Sequence, residues 1–193
     1  MTNVGVGRAR NTNTVTIQTN MTTRFPRKTI NYLGSPVTLT WIKLDNELDL
    51  NKYSPITQAY GVLFNSKGKI LILDQTGDKK WTLPGGTVEE GESLVQTLKR
   101  EVKEEANATI TDIKLIGIQR VEDPQNKNTN QRLHYQSRFI AKISKLLPQV
   151  IDPAKNRIHE QKFVSPKEIN NYIKWGITGK AIFADAVEKY FGK

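Results

Sequence analysis

The alternation of hydrophobic and polar residues along the chain predicts a series of β-strands. Residues 37–44 alternate with the two-residue period of a strand, and residues 56–64 and 69–73 flank a short polar turn typical of a hairpin. Further strands are predicted at residues 113–121, 132–143 and 162–164. Much of the chain should therefore build a β-sheet.

Helical periodicity is clearest in residues 93–106. Apolar side chains recur there at the spacing of one helical face: Leu94, Val95, Leu98, Val102 and Ala106. Two more helices are predicted near the end, one starting at the cap formed by Ser165 and Pro166 and one over residues 178–191. Strands on both sides of one strong helix, with helices again at the end, favour an α/β fold with a mixed sheet.

The composition fits one globular domain preceded by an extension. The 193 residues are 37% hydrophobic and 25% charged, which is typical of a folded domain of ordinary size. We expect the domain to span residues 35–193 and the extension to span residues 1–34. The extension is rich in Thr, Asn and Arg and alternates only weakly at residues 14–19, so it is predicted to be irregular or an edge strand.

The net charge of +10 is concentrated toward the N-terminus. Residues 1–42 contain no acidic residue, and their basic residues are Arg8, Arg10, Arg24, Arg27 and Lys28. Such a segment attracts polyanions, so nucleic acid is one partner that the sequence leaves open. A solvated tail is the plainer interpretation, and a strand exchanged in a homodimer is a third.

Residue counts exclude several kinds of site. The chain has no cysteine, which removes disulfides and thiolate chemistry, and its histidines, His134 and His159, are too few for a histidine-built metal site. We expect His159 to lie at the surface. No apolar run approaches the ~20 residues of a membrane span, and the N-terminus lacks the apolar stretch of a secretory signal. A cytoplasmic protein without a membrane partner is therefore expected.

Carboxylates crowd one side of the predicted helix. Glu101, Glu104 and Glu105 occupy positions i, i+3 and i+4, where like charges destabilise a helix by about 0.2–0.5 kcal/mol per pair. A hard divalent cation such as Mg²⁺, which prefers oxygen ligands, would offset this repulsion. Arg100 can hold a carboxylate in position, and Gly85 lies in a Pro-Gly-Gly turn whose backbone can approach a ligand closely.

The spacing of these residues is more specific than the cluster alone. Gly86 is followed by five residues, Glu92, seven residues and the run Arg100-Glu101-Val102-Lys103-Glu104-Glu105. Six specified residues at this spacing would occur by chance on the order of 10⁻⁵ of the time. Residues 86–108 resemble the signature of the Nudix hydrolase family, except that Asn107 replaces the final glycine. Asn is the next best residue for the left-handed backbone that this glycine provides at a helix end.

The resemblance implies a Nudix-like α/β/α sandwich with a mixed central sheet. It also implies Mg²⁺-dependent cleavage of the diphosphate linkage in a nucleoside diphosphate derivative, with Mn²⁺ as an alternative cation. The implied metal ligands are the Gly85 carbonyl, Glu101, Glu104 and Glu105. Glu101 is alternatively the general base, oriented by Arg100. Glu160, just ahead of the last predicted strand, is either a further ligand or base or a solvated loop residue.

A second candidate surface lies on the strand predicted at residues 132–143. One face of this strand would carry polar residues: Arg132, His134, Gln136 and Arg138. That face either lines a substrate cleft or is exposed sheet surface. Trp81, like Trp41 and Trp175, either stacks on a nucleobase or packs in the core. The candidate substrate-binding residues are therefore Arg132, Arg138 and Trp81.

The identity of the substrate is left open. A nucleoside triphosphate, ADP-ribose and a nucleotide sugar are all compatible with the implied reaction. The rival hypothesis is a non-catalytic nucleotide- or RNA-binding module on the same fold. Binding-only relatives tend to lose the catalytic residues, whereas this chain retains them.

Overall fold

The computed structural model describes residues 25–32, 35–74, 76–152 and 156–192. Its strands are β1 (Arg27–Tyr32), β2 (Ser35–Lys43), β3 (Ile56–Phe64), β4 (Ile70–Asp74), β5 (Trp81–Thr82), β6 (Gly85–Thr87), β7 (Ala108–Glu122), β8 (Leu133–Leu146) and β9 (Glu160–Val164). Its helices are α1 (Leu94–Ala106), α2 (Ile169–Tyr172) and α3 (Gly176–Phe191), and short 3₁₀ segments lie at Glu47–Lys52 and Thr129–Gln131. β3 occupies the residues that the alternation predicts.

The strands form one mixed sheet. Its order is β1-β2-β7-β8-β3-β4-β5, with β6 paired to β3 and β9 paired to β4. β3 and β8 run parallel, whereas β2 and β7, and β4 and β9, run antiparallel. α1 packs in the core on one face, and α2 and α3 pack in the core on the other. The predicted α/β/α sandwich with a mixed central sheet is confirmed.

Successive residues of the central strands supply cores on opposite faces of the sheet. In β4, Ile70 and Ile72 lie in the core shared with α3, whereas Leu71 and Leu73 lie in the core shared with α1. The predicted stripe of α1 faces this second core, where Leu98, Val102 and Ala106 are buried and Leu94 and Val95 are half-buried. Burial of each large apolar side chain contributes about 1.5–3 kcal/mol, so α1 is held firmly on the sheet.

β7 is longer than the alternation predicts, because bulges interrupt its period. The strand starts at Ala108, directly after α1, and not at residue 113. Its pairing with β8 shifts register between Thr111 and Lys114, and Asp112 has a φ of 52° there. A bulge adds an unpaired residue and reverses the order of inward and outward side chains, which hides the first part of the strand from a periodicity argument.

α2 also begins later than predicted. The residues after Ser165 form a turn, in which Glu168 N donates to Ser165 O at 2.9 Å, and the helix starts at Ile169. Ser165 and Pro166 therefore begin a turn and not the helix itself. α3 begins at Gly176, two residues ahead of the predicted position 178.

The described end of the predicted extension belongs to the sheet. β1 is an edge strand that pairs with β2, with Ile30 opposite Val37. Residues 14–19 lie outside the described residues, and the proposed boundary between residues 34 and 35 stays a prediction. Among the helices that the structure describes, none is long and apolar enough to cross a bilayer.

Both ends of α1 are capped by the side chains that flank it. Ser93 and Gln96 form a capping box, in which Gln96 N donates to Ser93 Oγ at 3.3 Å and Ser93 N donates to Gln96 Oε1 at 2.8 Å. At the other end Asn107 has φ 44° and ψ 46°, and its N–H bonds to Lys103 O at 3.0 Å. The expected left-handed cap by Asn107 is confirmed.

Asn107 also joins α1 to the segment after β8. Its Nδ2 donates to Pro148 O at 2.7 Å, and its carbonyl accepts from Leu147 N at 3.1 Å. A glycine would keep the left-handed backbone and the second bond but would lose the first. The residue that departs from the family signature is thus a tether as well as a cap.

We predict that Asn107→Gly, which restores the family residue, lowers the free energy of unfolding by about 0.5–1.5 kcal/mol, because the side-chain bond to Pro148 is lost. Asn107→Ala should cost about 1–2 kcal/mol more than Asn107→Gly, because alanine keeps a Cβ in the left-handed backbone and also lacks the side-chain bond. Urea unfolding of the three proteins measures both differences. A glycine variant as stable as the parent would contradict the tether.

Candidate active site

The carboxylates of α1 point toward β6. Glu105 is 3% exposed, and its Oε2 accepts a hydrogen bond from Gly85 N at 3.0 Å. The side chains of Glu101 and Glu104 are 13% and 27% exposed, so they lie at the edge of the buried region. The structure therefore brings the candidate ligands Glu101, Glu105 and Gly85 together, with Glu104 one turn from Glu101 on the same helix.

Glycines allow close packing around β6, with β3 at Gly85 and with α1 at Gly86. Gly85 has a φ of 141°, and a Cβ there would overlap the carbonyl oxygen of Ala59 on β3. A Cβ at Gly86 would overlap the carboxylate of Glu101. A Cβ at residue 85 or 86 therefore forces a neighbouring group to move, which gives a physical reason for the paired glycines before the acidic helix.

Arg100 is shared among the acidic residues. Its Nε donates to Glu92 Oε1 at 2.8 Å, and its Nη1 donates to Glu101 Oε1 at 3.0 Å and to Glu104 Oε2 at 3.3 Å. Nη2 donates to Thr87 O at 2.9 Å and to Glu92 Oε2 at 3.1 Å. The bidentate contact with Glu92 fixes the plane of the guanidinium, which in turn orients the other two carboxylates.

The ionisation of these groups follows from their surroundings. The Arg100 guanidinium lowers the pKa of Glu92 to about 2, despite partial desolvation of the carboxylate. Burial raises the pKa of Glu101 above its ordinary value, and the charge of Glu105 raises it further. Negative charge at Glu101 is thus only partly offset by Arg100.

The donor set fits a hard divalent cation. Glu101 and Glu105 lie beside the turn at Gly85 and Gly86, and burial, together with the charges of Glu105 and Glu104, raises the pKa of Glu101. Oxygen donors of this kind suit Mg²⁺ or Mn²⁺, and a cation would relieve the repulsion that a single arginine leaves.

His159 is buried, and the expectation that it lies at the surface is wrong. Its exposure is 1%, and its Nε2 lies 2.6 Å from Asp152 Oδ2. Glu105, Asp152 and His159 each offer one possible ligand atom. These three atoms lie within 4.8 Å of one another. His159 lies in the loop just before β9 and is buried, whereas the next residue, Glu160, is exposed. Asp152 carries no sequence signal of its own, since it lies in a polar loop.

Glu160 lies at the start of β9 with a side chain that is 53% exposed. Its carboxylate pairs with the ammonium group of Lys79. This contact directs Glu160 toward a surface lysine, while the neighbouring His159 points toward Glu105. A role for Glu160 as ligand or base stays a prediction.

The polar face of β8 lines a cavity of about 460 Å³. His134, Gln136 and Arg138 line it together with Tyr60, Gln119 and Trp175. Arg132, which was expected on the same face, is exposed, and its Nε donates to Asn126 O at 3.1 Å. The structure thus brings Arg138, but not Arg132, into the cavity wall.

Arg138 is the buried cation of this cavity. It is 3% exposed, and its Nη2 donates to Gln119 Oε1 at 2.8 Å and to Gln136 Oε1 at 2.7 Å. Its guanidinium lies 4.5 Å from the ring centroid of Tyr60 and 5.8 Å from that of Trp175. Burial lowers its pKa to about 10, so it remains charged at neutral pH. Within the described part of the chain no carboxylate pairs with it.

The tryptophans have different surroundings. Trp81 lines a surface pocket with Tyr172 and Lys174, separate from the β8 cavity. Trp41 is buried, and its Nε1 donates to Asp185 Oδ2 at 2.6 Å. Trp175, and not Trp81, lines the cavity. The sequence alone could not choose among them, because the choice depends on how α3 packs on the sheet.

Comparisons with known proteins agree with this architecture. A family model described as the NUDIX domain matches residues 55–185. The chain is 32% identical over 71 residues to an RNA pyrophosphohydrolase of Pasteurella multocida, covering 37% of this chain and 35% of the relative. It is 39% identical over 61 residues to the 8-oxo-dGDP phosphatase NUDT18 of Danio rerio, covering 30% of this chain and 19% of the relative. These matches therefore span well under half of each relative.

A solved structure has a similar fold. The Bacillus subtilis pyrophosphohydrolase BsRppH, solved in a mutant form, is 18% identical with a TM-score of 0.60, covering 84% of this chain and 97% of that one. The family match extends over more than half of this chain, on both sides of the helix that carries Arg100 and the three glutamates. The chain therefore belongs to the NUDIX domain family, as the spacing of residues 86–108 predicts.

Proposed function

We propose that this chain is a Nudix pyrophosphohydrolase that cleaves the diphosphate linkage of a nucleoside diphosphate derivative by water attack at phosphorus. The observation that carries the proposal is the intact carboxylate set of α1, held by Arg100 against the glycine turn. A binding module without catalysis would not need three carboxylates at the cost of their mutual repulsion.

The residues that would hold Mg²⁺, or Mn²⁺ in its place, are Glu101, Glu104, Glu105 and the Gly85 carbonyl. When bound, the cation would neutralise the diphosphate and favour charge build-up in the transition state. Arg100 orients Glu101 and Glu104 through its Nη1. Glu101, whose pKa is raised by burial, is suited to accept a proton from the attacking water if it is not itself a ligand.

The β8 cavity is proposed to bind the nucleoside part of the substrate. Tyr60 and Trp175 offer ring faces there, and Arg138 and Gln136 offer polar groups at the wall. Substrate contacts by Arg132 and Trp81 would require a substrate that reaches beyond this cavity.

The class of substrate is supported by the names of the relatives. Besides the two relatives above, a putative ADP-ribose pyrophosphatase of Bacillus subtilis is 28% identical over 88 residues. The structure of the NUDIX domain of Shewanella oneidensis NrtR contains ADP ribose, and it has a TM-score of 0.53 with 19% identity. Nucleic-acid binding by the basic N-terminal region, a homodimer and a cytoplasmic location stay predictions.

We predict that the purified chain with Mg²⁺ releases phosphate-containing products from at least one member of a nucleotide panel. The panel contains nucleoside triphosphates, ADP-ribose, nucleotide sugars and an RNA oligonucleotide with a 5′ triphosphate. Products are followed by anion-exchange chromatography, with and without added phosphatase, and excess chelator is the control. The proposed function is abandoned if no member gives a product that the chelator suppresses.

For the best substrate of that panel, we predict that Glu104→Gln lowers kcat/KM by at least about 100-fold, because a charge that acts on the transition state is removed. The change should leave thermal unfolding unchanged or slightly improved, since it removes a like-charge pair. Glu90→Gln is the matched control, because Glu90 is exposed and precedes the helix. Equal activity of the two variants would refute the role of Glu104.

The pairing of Glu92 with Arg100 should give stability a pH dependence. The pKa of Glu92 falls from 4.5 to about 2 in the folded protein, so its stabilising effect is complete above pH 4.5 and is lost as pH falls toward 2. We predict that Glu92→Gln is less stable than the parent at pH 6 and that the difference shrinks at pH 3. Urea unfolding at both pH values measures it. A difference that is constant or larger at pH 3 would contradict the pairing.

A further inference from the structure

A buried group with both nitrogen and oxygen donors lies beside the acidic residues of α1. Glu105, Asp152 and His159 are 3%, 1% and 1% exposed. Each offers one ligand atom, and these atoms lie within 4.8 Å of one another. Glu105 belongs also to the carboxylate set of α1, whereas Asp152 and His159 come from the connection between β8 and β9.

Hydrogen bonds to the end of α1 hold this connection in place. Asn107 binds Pro148 O and Leu147 N, and Gln161 Nε2 donates to Ala106 O at 2.8 Å beyond the loop. Both ends of the segment between β8 and β9 are therefore fixed to the last turn of the helix that carries Glu105.

The loop itself is closed around Asp152. Asp152 N donates to Arg157 O at 2.8 Å, and Asn156 N donates to Asp152 O at 2.7 Å. The side chain of Gln149 also donates to the carbonyl of His159. These bonds hold the backbone at Asp152 and at His159.

The imidazole of His159 has one ring nitrogen that remains without a partner. The 2.6 Å contact joins His159 Nε2 to Asp152 Oδ2, which is the geometry of an Nε2–H donor facing a carboxylate acceptor. Nδ1 then carries the lone pair, and among the described residues it is buried and makes no hydrogen bond. A buried acceptor without a donor is unfavourable, and a cation is a partner that such a lone pair can bind.

We propose that the carboxylate of Glu105 and Nδ1 of His159, with Asp152 holding the imidazole through Nε2, form a second cation site, which binds a transition-metal ion such as Zn²⁺ in preference to Mg²⁺. Imidazole nitrogen favours Zn²⁺ and its neighbours, whereas Mg²⁺ prefers oxygen donors in octahedral geometry. The carboxylate of Asp152 orients the imidazole, as carboxylates commonly do for metal-binding histidines. Because Glu105 belongs to both groups, the site adjoins the proposed catalytic one.

The site can be tested without substrate, so the result is independent of whether the chain is a hydrolase. The untagged full chain is titrated with Zn²⁺ by calorimetry in the presence of excess Mg²⁺. The proposal expects one tight Zn²⁺ per chain and an affinity at least about 10-fold weaker in His159→Gln. His134→Gln is the matched control, because it removes the other histidine, and Glu104→Gln should also keep the tight site. An isotherm unchanged in His159→Gln, or weakened equally in His134→Gln, overturns the proposal.

A second measurement uses the parent protein, because His159→Gln changes a buried side chain and can itself disturb the fold. In ¹⁵N-labelled parent protein, Zn²⁺ should shift the ring nitrogens of one histidine strongly and leave those of the other in place. The resonances of His134 are identified by their loss in His134→Gln. A shift confined to His134, or no shift of either ring, overturns the proposal as well.

Discussion

The close approach of α1 to β6 is the constraint on which the rest of the site depends. Gly85 and Gly86 leave no room for a side chain, and the vacated space is filled by Ala59 and by the carboxylate of Glu101. Glu105 then accepts the Gly85 N–H inside the protein, where a carboxylate needs such a donor to be tolerated. A side chain at residue 86 would displace the carboxylate of Glu101, and a side chain at residue 85 would push β6 away from β3.

The close approach of α1 to β6 gathers more acidic than basic side chains. One guanidinium, that of Arg100, bonds to Glu92, Glu101 and Glu104 at the same time, so the acidic residues outnumber the cation that holds them. A helix selected for stability alone would not keep this excess of negative charge at a half-buried position. The bidentate contact with Arg100 lowers the pKa of Glu92, whereas burial raises the pKa of Glu101.

Local features were predictable from sequence, whereas features that join distant segments were not. The extent of β3, the cap at Asn107 and the facing of the α1 stripe follow from rules that involve only near neighbours. His159 was expected at the surface, whereas it is buried beside Asp152 and Glu105 of α1. The choice of Trp175 over Trp81 as a cavity residue likewise depends on the packing of α3 against the sheet.

Residue 107, where the sequence departs from its family signature, has both a local and a long-range role. At residue 107 a glycine would keep the helix end and the backbone bond to Leu147, whereas Asn107 also bonds through its side chain to Pro148, forty-one residues along the chain. Such a bond places the loop that carries Asp152 and His159 relative to Glu105 two residues earlier. Asn107 in place of glycine keeps the backbone conformation of the helix end. Its side chain also helps to hold the loop of Asp152 and His159 near the acidic residues of α1.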